Sequence, residues 1–185
     1  MKNACTIRVS GTDLLPKEAR KPKLIEEACR LSLRSKPAKK GSKPKGEINI
    51  VFLAGPRMRS LNKRFLKRDR DTDVLSFSYD APAPGAPAAD QPFGDIFIST
   101  SKIRSQAKDL GHSALKETLT LVSHGSLHLL NYDDATRSQK ALMTKLQDKV
   151  LAKLKPLRST TAACRSAASI KEAIIEDQGD ARWQF

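Results

Sequence analysis

Acidic residues are in short supply in this chain. Against 34 Lys and Arg stand only 20 Asp and Glu, giving a net charge of +14 and a pI near 9.9. Cysteine is scarce too. Cys5, Cys29 and Cys164 are odd in number, far apart and never in a CxxC pair. That excludes a disulfide scaffold and a thiolate zinc site, and it fits a reducing cytoplasm. No apolar run approaches the roughly 20 residues that span a bilayer. No basic stretch followed by an apolar one opens the sequence, so no secretory signal and no membrane partner are expected. Aromatic residues make up 5%. Phe52, Phe65, Phe77, Phe93 and Phe97 fall mostly in core-like segments, so no base-stacking platform is expected.

What is present is positive charge, unevenly spread. Residues 1–46 hold 13 Lys/Arg against 4 Asp/Glu. Such a surface attracts polyanions, because phosphate contacts release counterions and speed encounter. Nucleic acid is the first partner this suggests and anionic lipid the second. With 39% hydrophobic and 29% charged residues, the 185-residue chain has a globular composition and length enough for one domain with its own core.

Hydropathy patterning places strands at 4–9, 47–53, 72–79 and 94–99. Helices are expected at about 16–33, from Pro56, over 100–111, from Ser113 to Leu130, and over 135–154. In the last of these, Leu142, Leu146, Val150 and Leu154 supply the apolar face. Residues 36–46 form a basic loop and 81–92 a Pro/Ala-rich one. The expected fold is α+β: a single domain over 1–156, with helices packed on a small mixed β-sheet. Residues 157–185 form a C-terminal extension containing one short helical segment, SIKEAIIED.

The chain has three histidines, at 112, 124 and 128. His124 and His128 are four apart within VSHGSLHLLNYDD, so on a helix they share one face and can grip one ion. Apolar neighbours bury that helix, and buried imidazoles need partners. Backbone hydrogen bonds would also satisfy them. Asn131 stands where the helix should stop, and Asn tolerates the left-handed conformation that a helix end favours. The chain can then turn back and bring Asp133 or Asp134 to the same ion. Gly125 occupies the place of the general-base Glu in an HExxH protease, so any base must lie elsewhere, unless it is a water activated by the metal. His112, near a helix boundary, is expected to cap or to face solvent.

HGSLHLLNYDD resembles the pattern HGxLHLxGYDH of the YbeY family. TDVLSF at 72–77 and GDIFIS at 94–99 resemble two further family blocks, in the family's order. LN at 61–62 and GHSALKE at 111–117 agree as well, and the resemblance spans about residues 4–155. It implies an α+β fold and a single-strand-specific endoribonuclease acting in small-subunit rRNA maturation and ribosome quality control. The implied partners are rRNA, the small ribosomal subunit and its assembly factors. The implied cofactor is one Zn2+ per chain. His124 and His128 match two of the family's metal-binding histidines. The third is Asp134 here, a harder, charged ligand that also admits Mn or Fe. Asp133 matches the family's own Asp and is read as structural or as supporting the ligands.

The family's Arg six residues before TDVLSF falls on Leu66, which taken alone reads as a core residue. Arg64 and Lys67 beside it are the candidate phosphate-stabilising groups. Arg57, Arg59, Lys63, Arg64, Lys67, Arg68 and Arg70, with Lys39 and Lys40 of the basic loop, are the candidate RNA-binding residues. Thr72, Ser76 and Phe77 are read as fixing the sheet and the cleft wall. The alternative function is a ribosome-associated RNA-binding factor with weakened or lost catalysis, for which Leu66 and Asp134 argue. A metallohydrolase acting on another substrate would leave the basic surface without a use.

Overall fold

The computed structural model describes residues 5–38, 44, 46–79 and 92–154. Lys39 and Lys40, most of both expected loops and the 157–185 extension lie outside the described residues.

Four alternating segments build the sheet: β1 (Thr6–Ser10), β2 (Glu47–Leu53), β3 (Val74–Ser78) and β4 (Pro92–Ser99). Their order is β1-β2-β4-β3. β1 and β4 both run parallel to β2, and β3 is antiparallel to β4, so the sheet is mixed as expected. In β2, Ile48, Ile50 and Phe52 alternate into the core.

Five helices complete the described residues: α1 (Pro22–Ser32), α2 (Gly55–Leu66), α3 (Thr100–Asp109), α4 (Ala114–Leu129) and α5 (Arg137–Leu151). The helix expected at 16–33 is shorter than the sequence suggested. Two 3-10 turns, Thr12–Leu14 and Lys17–Ala19, occupy its first part. Pro22 has no N–H to donate, and helix interiors exclude it, so it opens α1 instead.

The apolar face of α5 also differs. Met143, Val150, Leu151 and Leu154 are buried, whereas Leu142 is 48% exposed. A strict four-residue spacing drifts around a 3.6-residue helix, so 142, 146, 150 and 154 cannot all face one way.

α4 lies at the centre, against α1, α3, α5 and the inner face of β3 and β4. Its close approach to the sheet depends on two glycines. A Cβ on Gly125 would stand 2.5 Å from Ile96 Cγ2 and 3.0 Å from Ser76 Oγ. One on Gly94 would stand 2.7 Å from Leu129 Cδ2. Across the helix, the hydroxyl of buried Ser32 on α1 donates to Ser123 at 2.9 Å. No helix among the described residues is long and apolar enough to cross a membrane.

Candidate metal centre and its basic flank

α4 carries His124 and His128 on one face, one turn apart, and its termination delivers Asp134. The helix ends in a Schellman arrangement: Tyr132 N–H donates to Leu127 O at 3.1 Å and Asn131 N–H to His128 O at 2.8 Å. Asn131 takes the left-handed conformation this requires, with φ 62°. Asp133 then shapes the next turn. Its Oδ1 accepts from the backbone N–H of Asp134 at 2.7 Å and of Ala135 at 3.2 Å. Asp133 is therefore spent on the loop, and Asp134 turns inward.

The result is a compact donor set. The Nε2 atoms of His124 and His128 are 3.0 Å apart, with the rings nearly perpendicular. Asp134 Oδ2 lies 3.7 Å from His124 Nε2. One ligand atom from each residue falls within 4.8 Å of the others. His128 Nδ1 donates to the Tyr132 carbonyl at 2.9 Å, which leaves its Nε2 lone pair pointing at the shared centre. Burial, reinforced by the neighbouring His128, pushes His124 down to about 4, although Asp134 and Asp73 pull the other way. His124 is thus neutral at physiological pH, as a ligand must be.

These residues fit a metal ion. Zinc–nitrogen bonds of about 2.0–2.1 Å at a tetrahedral angle separate two nitrogens by roughly 3.4 Å, close to what the imidazoles present. Two lone-pair nitrogens facing each other also need a proton or a cation between them. Three protein donors leave a coordination position open.

The site opens into a cavity of about 230 Å³ lined by Leu66, Thr72, Asp73, Val74, Leu75, Ser76, His124, His128, Asp134 and Lys140. Thr72 and Ser76 form its wall, and the Ser76 hydroxyl donates to Gly125 O at 3.2 Å. The Asp73 carboxylate is occupied, accepting from Val74 N–H, the Thr72 hydroxyl and Gln106. Lys140, on the first turns of α5, is the cation of this lining, and the sequence reading missed it. Its charge adds to the lowering at His124. Only its place downstream of Asp134, on a helix that begins two residues after that loop, hinted at it.

Leu66 is half-buried and lines this cavity, so it is not the core residue its sequence alone suggests. Arg64 and Lys67 flank it but do not line the cavity. Lys67 caps α2 in the left-handed conformation, its ammonium donating to Arg64 O at 3.3 Å. Arg59 and Lys63 both grip Asp69, at 2.7 and 2.9 Å, and these hydrogen bonds hold the Asp69 carboxyl down at about 2. Arg57 is exposed on α2, while Arg68 and Arg70 follow the helix. Asn62 of the LN pair ties that segment down, donating to Arg70 O at 2.8 Å.

His112 caps α3, as expected, through its backbone N–H, which donates to Ala107 O at 3.0 Å, while its side chain is half-buried rather than turned to solvent. Its Nε2 meets Glu117, itself buried, at 3.1 Å. The placing of the phenylalanines in core-like segments also needs correcting. Phe52 is buried, but Phe65 is 52% exposed, and Phe77, Phe93 and Phe97 are only half-buried. Strand alternation puts Phe77 and Phe97 on the face opposite α4, where Phe65 at the end of α2 covers them only in part.

An α+β domain that presents two imidazoles and a carboxylate in a cleft, beside a strongly basic helix, has the parts to hold a metal ion next to an anion. Residues 11–155 match the family described as endoribonuclease YbeY, and the chain belongs to that family. It is 39% identical over 110 residues to a protein named endoribonuclease YbeY from Elusimicrobium minutum, covering 60% of this chain and 76% of that one. A Desulforamulus reducens protein of the same name is 36% identical over 134 residues, 71% of this chain and 85% of its own length. A third, from Beutenbergia cavernae, is 38% identical over 111 residues, 58% and 74% of the two lengths.

Proposed function

We propose that this protein is a metal-dependent endoribonuclease that cuts single-stranded RNA in the maturation of small-subunit rRNA and in ribosome quality control. The observation that carries this reading is the convergence of His124, His128 and Asp134 in one cavity. Membership of the YbeY family supplies the reaction class. The cytoplasm is the compartment this implies, and rRNA, the small subunit and its assembly factors are the partners.

Zn2+ is the first candidate ion, with Mn or Fe admitted by the Asp134 carboxylate. When bound, such an ion supplies Lewis acidity and lowers the pKa of a water. The chain's own residues do the rest. His128 is locked in one tautomer by the Tyr132 carbonyl. Asp134 is aimed by the Asp133 turn. Lys140, an exposed side chain lining the cavity, offers a positive charge to a phosphate oxygen, and among the described residues no carboxylate pairs with it. Arg57, Arg64 and Lys67 hold the flanking phosphates of the strand. Arg59 and Lys63 contribute less, because Asp69 partly neutralises them.

One observation favours a second reading, an RNA-binding factor with weakened catalysis. Leu66 gives the cavity an apolar wall at the position of the family's Arg, which leaves Lys140 as the one Lys or Arg side chain among its lining residues. Cleavage of a labelled single-stranded RNA by metal-loaded protein separates the two readings. The expected result is cutting of single strands over duplex, abolished in His128→Ala with RNA binding retained. Equal activity in His128→Ala would reject metal-dependent cleavage.

A further inference from the structure

Phe65 is the penultimate residue of α2, and it is 52% exposed. Single exposed apolar side chains are ordinary on protein surfaces. Phe65 differs in what surrounds it. Its centroid lies 5.0 Å from Phe77, tilted by 58°, and Phe77 lies 5.9 Å from Phe97, nearly edge-on. These contacts hold Phe65 in a row of three rings rather than leaving it a mobile side chain. The Arg64 guanidinium stands 5.5 Å from the Phe65 centroid, and among the described residues it pairs with no carboxylate.

The row begins one residue along the chain from the metal cavity. Leu66, the next residue, lines that cavity, as does Ser76, the neighbour of Phe77 on β3. Strand alternation explains the arrangement: Ser76 points to α4 and the cleft, and Phe77 points to the opposite face. β3 is the edge strand of the sheet and Leu66 adjoins Phe65 in the chain, so a polymer leaving the cleft past Leu66 and over that edge reaches the Phe65 ring.

The charge around the ring selects the occupant. Residues 57–70 carry seven Lys/Arg and one acid, Asp69, which is already bound by Arg59 and Lys63. An apolar protein segment would leave Arg57, Arg64 and Lys67 without counter-charge. A nucleotide meets both needs, with a π face for the ring and a phosphate for the cations.

We propose that Phe65, backed by Phe77 and flanked by Arg64, is a stacking subsite for one unpaired nucleobase beside the phosphate held at the metal cavity. This rests on the RNA reading above and adds to it a structural source of strand choice. A base in a duplex has both faces covered by its neighbours and cannot stack on Phe65. The Arg64 guanidinium then lies against the outer face of the base or meets its phosphate.

The test uses the full chain, treated with chelator so that no cutting occurs, and a short single-stranded 2′-O-methyl RNA carrying one 2-aminopurine. A matching oligomer with abasic sites has the same phosphates and no bases. Wild type should bind the first and quench its fluorescence. Phe65→Ala should lose the quenching and about tenfold in affinity, Phe65→Trp should restore both, and the abasic oligomer should bind wild type and Phe65→Ala equally. If Phe65→Ala binds and quenches like wild type, or weakens the abasic oligomer equally, the stacking subsite is overturned. A protein partner on this face would give that first result, and the nuclease reading would survive it. Failure of wild type to bind either oligomer at low salt would instead overturn the RNA reading itself.

Discussion

Gly125 of α4 faces Ile96 of β4 with no room for a side chain: a Cβ would approach Ile96 Cγ2 to 2.5 Å. This contact sets the depth of the histidine helix against the sheet, and so the position of both imidazoles relative to the cavity wall. It also gives a physical reason why no general-base Glu can stand at this position. Gly125→Ala should destabilise the fold by about 1–3 kcal/mol through overpacking. Urea unfolding followed by circular dichroism would measure it, and an unchanged midpoint would mean that Ile96 yields freely.

The metal centre should depend differently on two adjacent carboxylates. Asp134→Ala removes a donor, and metal content per chain should fall well below that of wild type. Asp133→Ala keeps the donor but frees the turn that aims it, so affinity should weaken roughly 10- to 100-fold, the usual scale for a residue that orients a ligand. Elemental analysis of untagged protein, followed by competition with a chromophoric chelator, would rank the variants. A larger loss in Asp133→Ala than in Asp134→Ala would reverse these roles.

On the proposed function, Lys140 should matter to turnover more than to strand binding, because it lines the cavity while Arg57, Arg64 and Lys67 do not. Lys140→Gln should lower the single-turnover cleavage rate on the order of tenfold or more. RNA affinity should change little, and Lys140→Arg should recover most of the rate. Loss confined to affinity would move Lys140 to the general basic surface.

The salt clamp at the end of α2 predicts a pH window. Hydrogen bonds from Arg59 and Lys63 hold Asp69 at about 2, below its ordinary 3.8. A depressed carboxylate favours the folded state above its ordinary value. That contribution is complete above about pH 4 and fades as pH falls toward 2. Carboxyl carbon shifts should show an Asp69 midpoint near 2 that rises toward the ordinary value in Arg59→Gln. The same midpoint in both proteins would mean that Arg59 does not hold it.

Local chemistry fixed much of this molecule before any tertiary contact. β2 and β4 were legible because their side chains alternate, and α4 because an apolar run fills it. The left-handed stop at Asn131 was legible from Asn itself. His124 and His128 share a face through helix periodicity alone, so that pairing needs no other element. The extent of α1 was misjudged because Pro22 reads as a helix start only once the 3-10 turns before it are seen. The buried side of α5 depends on where α4 and α1 press against it, which a leucine spacing does not record.

Which carboxylate joins the histidines was decided by the Asp133 turn, a backbone geometry in which two adjacent aspartates exchange roles through one hydrogen bond. That Leu66 and Lys140, 74 positions apart, face the same cavity follows from the packing of α2 and α5 around β3 and α4. The exposed ring row of Phe65, Phe77 and Phe97 joins a helix end to two strands. Periodicity is a property of neighbours along the chain, so sequence determined the elements and the histidine pair. A cavity wall and a solvent-facing ring are properties of neighbours in space, and only the assembled fold decides them.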